Sequence, residues 1–131
     1  MKENMKSAIL QAIEEHHEAL EPIEVFQKVQ ASDFQQFTDS VKQLQQDGKL
    51  IITKKGKLSS PKISGLTPAK IVSHSPKFSF ARPLNGGEDI YISASDRKRA
   101  LPGDLVMLHK LGTSYKGIDG VVERVVVKGS R

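Results

Sequence analysis

The chain has 131 residues, of which 37% are hydrophobic and 27% charged, with a formal net charge of +5 and no cysteine. That composition is globular, and the missing cysteines exclude a disulfide frame and any thiolate zinc site. No apolar run approaches the roughly 20 residues that span a bilayer, and the N-terminus lacks the apolar block of a secretory signal, so the expectation is a soluble cytoplasmic monomer without a membrane partner. Charge is unevenly spread: residues 1–48 hold four lysines against nine acids (net −5), and residues 49–131 hold sixteen basic residues against six acids (net +10). A polyanion is drawn to the second part and repelled by the first.

In chain order, Met5, Ala8, Ile9, Ala12 and Ile13 recur at helical spacing and predict an amphipathic helix over residues 4–18. Pro22 suits a first helical position, with Ile23, Phe26 and Val29 forming a short second helix. Ser32-Asp33-Phe34-Gln35 reads as a capping box with the serine as N-cap, opening a helix over 33–47 that carries Phe34, Phe37, Val41 and Leu44 and stops at Gly48. Leu50–Thr53 and Lys57–Ser59 flank a turn at Lys54-Lys55-Gly56 and read as a small hairpin. Three helices and a hairpin are the element order of a winged helix-turn-helix domain, placed at 1–60, with Lys54, Lys55 and Lys57 on the wing.

Residues 61–68, with two prolines and a glycine, read as a linker. Beyond them the pattern turns to strands: Ala69–His74, Lys77–Arg82, Asp89–Ser93, Asp104–Lys110 and Gly117–Val127. Five short strands in about 60 residues fit an OB-fold barrel over 69–131, which makes the fold class α+β with two small domains. Gly112 and Gly117 bracket an expected flexible loop.

Side chains alternate faces along a strand, so Phe78 and Phe80 share one face with Arg82 at its end. If Asn85-Gly86-Gly87 closes a hairpin, Tyr91 stands beside them, which gathers three of the seven aromatic residues. Rings interleaved with cations on an exposed sheet suit the stacking of unpaired bases. The competing reading, rings filling a β core, is weakened by Ile71, Ile90, Ile92, Val106 and Leu108, which already furnish the opposite face. The expected stacking residues are Phe78, Phe80, Tyr91 and His74, and the expected phosphate contacts are Lys77, Arg82, Arg97, Lys98, Arg99 and Lys116. His16 and His17 are adjacent rather than four apart, so they form no helical metal pair; no metal ligand set and no catalytic residue is expected.

Three stretches carry a family resemblance: His74-Ser75-Pro76-Lys77-Phe78-Ser79-Phe80, Gly87-Glu88-Asp89-Ile90-Tyr91-Ile92-Ser93 and Ala100-Leu101-Pro102-Gly103-Asp104-Leu105-Val106. They resemble the cold-shock-type OB domain that precedes the catalytic domain in ribonuclease R and ribonuclease II exoribonucleases, and the helical half is similar to the winged-helix domain found before it. The family has glycines around the first Phe, where Lys77 and Ser79 stand here. The resemblance implies an RNA-binding accessory region of a 3′-to-5′ exoribonuclease whose Mg2+-holding nuclease domain is a separate, longer segment, leaving this chain without a cofactor or catalysis of its own. Single-stranded RNA is then the partner, with duplex nucleic acid or protein open to the winged helix. Two other readings stay open: a small winged-helix DNA-binding regulator, and a protein-interaction module.

Overall fold

The computed structural model describes residues 2–129, so the outer ends of the two expected domains, residues 1 and 131, lie outside the described residues. The chain divides into two compact units that meet between Ser64 and Gly65.

In the first unit, α1 (Lys2–His16), α2 (Pro22–Lys28) and α3 (Phe34–Gln46) precede a hairpin of β1 (Ile51–Ile52) and β2 (Leu58–Ser59). Ile9 and Ile13, one turn apart, meet Val25, Phe37, Val41 and Leu44 in a shared core that Leu20, Leu50 and Leu58 complete. Helix α1 stops two residues earlier than its apolar period suggests because His17 adopts φ 62°, a left-handed stop. Asp33 rather than Ser32 caps α3: its Oδ1 accepts from the backbone N–H of Gln35 at 2.9 Å and of Gln36 at 3.2 Å. Gln35 reaches forward to Asp39 instead of closing a box. In α2 the buried residue is Val25, while Ile23 stands exposed, as does Phe34 at the start of α3. Leu20 and Leu58 exchange two backbone hydrogen bonds, which tie the hairpin to the segment before α2.

The stretch read as a linker is mostly structured. Pro61–Ser64 form a helical turn, α4, because Ser60 Oγ accepts from Ile63 N–H and Ser59 Oγ bonds Ser64 Oγ at 2.9 Å. Strand β3 already begins at Thr67, leaving Gly65 and Leu66 outside regular elements. Dividing the sequence at Ser64 also re-sorts the charge. The wing lysines fall with the helices, whose nine lysines balance nine acids, and residues 65–131 hold the whole +5.

The second unit is a closed barrel of β3 (Thr67–His74), β4 (Phe78–Pro83), β5 (Ile90–Ser93), β6 (Leu105–Ser114) and β7 (Gly117–Val127), in the order β3-β4-β5-β7-β6. All pairs are antiparallel except β5 with β7, the arrangement of an OB fold. Ile71, Ile90, Ile92, Val106, Leu108 and Val122 fill the interior with Ala69, Ala81 and Ala100. Gly120 is required where β7 meets β5, since a Cβ there would stand 2.7 Å from Ile90 Cγ2. The expected loop at 112–117 is instead a continuation of the β6–β7 hairpin: Gly112, Thr113 and Ser114 pair with Asp119, Ile118 and Gly117, so only Tyr115 and Lys116 turn the chain.

A buried carboxylate closes the barrel's end. Asp104, 1% exposed, accepts from Leu101 N–H at 3.0 Å and from Gly129 N–H at 2.8 Å, joining the turn before β6 to the residues after β7. Asp104→Ala leaves two donors without this partner and should cost the barrel about 2–4 kcal/mol. Both tyrosines lie in this unit and the chain has no tryptophan, so tyrosine fluorescence in a urea titration reads the barrel alone. A loss below about 1 kcal/mol would show the clip to be dispensable.

Candidate nucleic-acid interface

Strand β4 alternates strictly. Ser79, Ala81 and Pro83 are buried, while Phe78 and Phe80 are half-buried and Arg82 is exposed. The interior positions carry small side chains, so the rings have only the outer face. On β5 the same alternation buries Ile90 and Ile92 and turns Tyr91 outward, directly across from Phe80. The three rings touch: Phe78 lies 5.4 Å from Phe80 and 5.4 Å from Tyr91, and Phe80 lies 5.8 Å from Tyr91. Phe78 and Tyr91 are nearly parallel, at 24°, and Phe80 stands edge-on to both, within the range of favourable aromatic pairing.

Lys116 joins this patch from the hairpin tip. Its Nζ lies 4.4 Å from the Tyr91 ring centroid and donates to Tyr91 Oη at 3.3 Å, a cation resting on a π face. The hydrogen bond to Tyr91, partly offset by desolvation and helped by Asp119, holds the ammonium above its usual range. Tyr115 beside it is 94% exposed. Its place in a two-residue turn between Ser114 and Gly117 is the signal that marks it as a solvent-facing ring; the sequence reading noted it with Lys116 in that loop but did not count it among the stacking residues.

The other expected residues divide into two groups. Lys77, beside Phe78 in the chain, is exposed, as are Lys98 and Arg99 after the short helical turn that follows β5, and Lys98 and Arg99 adopt φ of 45° and 62°. Consecutive non-glycine residues in the left-handed region are strained. Arg82 is exposed too, but it is held by Asp89 through bonds of 3.1 and 3.3 Å, which raise its pKa further. His74, exposed at the end of β3, is in register with the inward-facing Ser79 rather than with Phe78 or Phe80. Lys54 and Lys55 are exposed at the β1–β2 turn and Lys57 is half-buried, all three in the helical unit.

Arg97 does structural work. Its Nη1 donates to the carbonyls of Ser75 (2.6 Å) and Phe78 (3.1 Å) and to Ser79 Oγ (3.1 Å). This explains why a serine occupies position 79: it is wholly buried and meets the guanidinium. Away from the patch, burial pushes the Glu123 carboxyl up, but the hydrogen bond from His109 and the nearby Arg124 outweigh it and hold the carboxyl below its usual range. Among the described residues no group of three His, Cys, Asp or Glu converges to hold a metal ion, and no helix is long and apolar enough to cross a membrane.

Arg97→Lys shortens the side chain by one bond and draws back the one nitrogen that meets all three acceptors, which should cost the barrel about 1–3 kcal/mol, whereas Arg99→Lys should stay within about 0.5 kcal/mol. Tyrosine-detected melting compares them, and equal melting temperatures would refute the assignment.

The sequence model of the Ribonuclease B OB domain matches residues 69–125. Ribonuclease R of Escherichia coli (strain K12) is 27% identical over 74 residues, which is 56% of this chain and 9% of that protein. Ribonuclease R of Acidithiobacillus ferrooxidans is 24% identical over 108 residues, 82% of this chain and 25% of that protein. The matched stretch thus spans a quarter or less of each relative. The barrel thus has the strand order of an OB fold, and its sequence is similar to the Ribonuclease B OB domain and to part of ribonuclease R proteins.

Proposed function

We propose that this chain is the RNA-binding accessory region of a ribonuclease R-like 3′-to-5′ exoribonuclease, and that its barrel grips single strands by stacking bases on Phe78, Phe80 and Tyr91. The observation that carries this reading is the cluster of three outward rings within 5.8 Å of one another on the basic unit of the chain. Tyr115 extends the stacking row, and Lys77, Lys98, Arg99 and Lys116 neutralise phosphates. Arg82 joins them by exchanging Asp89 for a phosphate. Arg97 holds the turn beneath Phe78 and is set apart from the phosphate contacts.

Binding rather than hydrolysis is the role of this chain. A two-metal phosphodiesterase needs several converging carboxylates. Five of the barrel unit's six acids are instead engaged separately: Asp89 with Arg82, Asp96 with Ser93, Asp104 with backbone N–H groups, Asp119 with Ser114 and Glu123 with His109. Strand cleavage, and the Mg2+ it uses, belong to a nuclease domain of the longer protein.

The helical unit has the element order of a winged helix-turn-helix, with Lys54 and Lys55 at the wing tip. Its helix α3 offers amides but also Asp39, with Asp33 as its N-cap, and phosphate contacts dominate affinity for a duplex. We assign it to guiding duplex RNA or docking protein rather than to sequence-specific DNA binding.

Phe80→Ala should weaken binding of a labelled single-stranded RNA by roughly tenfold, the loss expected for one stacked base. Lys98→Ala and Arg99→Ala should each flatten the logarithmic salt dependence by about 0.7, one released counterion contact on a single strand. Fluorescence anisotropy at several salt concentrations reads both effects. Unchanged affinity in Phe80→Ala, or no binding by the parent at low salt, would overturn the RNA-face reading. Lys54→Ala with Lys55→Ala should weaken duplex binding and spare single strands.

A further inference from the structure

Beside the aromatic patch lies a groove of about 410 Å3, bounded by β5, the short helical turn that follows it and the far part of the β6–β7 hairpin. Tyr91 forms one wall, Leu111 and Thr113 another, and Asp96 and Asp119 line it with carboxylates. Asp119 is beside Tyr91 in the parallel β5–β7 register. Ser93 Oγ donates to Asp96 Oδ2 at 3.0 Å and Ser114 Oγ to Asp119 Oδ1 at 3.3 Å, which orients both carboxylates and uses one of the roughly four acceptor sites on each. Lys116, whose charge feels Asp119, stands over Tyr91.

Resting on the RNA reading above, we propose that this groove is a base-selective subsite, taking a nucleotide whose base carries an exocyclic amino group and discriminating against uracil. Three features support it together. The groove continues the stacking row, because Tyr91 belongs to both. Its acids repel a phosphate from the interior while Lys116 attracts one at Tyr91, so a nucleotide enters base first. An ionised carboxylate only accepts hydrogen bonds. Cytosine presents its N4 amino group as a donor, adenine its N6 amino group, and guanine N1–H with its N2 amino group. Uracil presents a single N3–H between two carbonyls, and each carbonyl would face a carboxylate oxygen with no proton between them.

Cytosine and uracil differ at this edge but not in ring size, so they are the discriminating pair. Labelled cytidine and uridine dodecamers are titrated with the whole chain at neutral pH and one fixed salt concentration. The cytidine strand should bind about fivefold or more tightly, near the low end of one good base contact. Asp96→Asn combined with Asp119→Asn offers N–H groups to uracil O4 and should bring the two affinities within about twofold. A cytidine dodecamer methylated twice at N4 loses both donors and should fall to the uridine affinity on the unaltered protein, so the test does not depend on the variant folding. If the parent binds both strands equally, the subsite is refuted while the RNA reading stands. A double variant that strengthens both strands by one factor and keeps their ratio also refutes it, because the carboxylates then act only on the phosphate backbone. Failure to bind either strand overturns the RNA reading, and this proposal with it.

Discussion

Arg97 reaches the inner face of the barrel through Ser79 Oγ while gripping the carbonyls on either side of the 75–78 turn, and that contact works with the packed interior to hold β4 in register. A strand has a side-chain period of two, so slipping β4 by one residue would send Phe78 and Phe80 inward and Ser79 and Ala81 out. Two facts oppose the slip. The interior is already filled by Ile71, Ile90, Ile92, Val106 and Leu108, and the positions facing it on β4 hold only Ser79, Ala81 and Pro83. The guanidinium adds a polar lock in a place where an unpaired buried hydroxyl would be costly. The exposed rings are thus a by-product of how the core is packed.

The outer face is not idle in the absence of a ligand. Lys116 rests on Tyr91, Arg82 holds Asp89, and the three rings lean on one another. On the proposed reading, a strand arriving there would exchange partners rather than fill empty places. Stacking a base on Tyr91 would displace an ammonium that could then meet the incoming phosphate, and pairing Arg82 with a phosphate would release Asp89. Such exchanges would return part of what they gain, so the net hold on each nucleotide would be smaller than its contacts suggest.

Much of this was legible from the residue pattern, because burial follows periodicity. The alternation Phe78-Ser79-Phe80-Ala81-Arg82 gave the outward face, and Asn85-Gly86-Gly87 gave the turn that brings Tyr91 alongside; Gly86 and Gly87 adopt φ of 91° and 101°. What pattern could not convey is which polar group a charged side chain meets. Arg97, Lys98 and Arg99 look alike in sequence, yet the first is bound to two carbonyls and a hydroxyl while its neighbours face solvent. His74 was placed beside the rings by proximity along the chain, and a bulge between Ile71 and Ser73 changes its register. Ser32 and Asp33 are equally good caps on paper, and only the path of the backbone chose the aspartate. The groove draws on β5, the turn after it and the hairpin, from Tyr91 to Gly120 along the chain, so no local spacing could announce it.

Closure of the barrel has a wider consequence. An open sheet ends in strands whose free backbone groups recruit further strands, from the same protein or another. Here β3 pairs with both β4 and β6, and the circuit through β7 and β5 is complete. Main-chain zippering onto the barrel body is therefore foreclosed, so a ligand on its wall would be met by protruding side chains. A grip of that kind would read chemistry at isolated points and let go one point at a time, and on the proposed reading it would leave a long polymer free to travel across the surface.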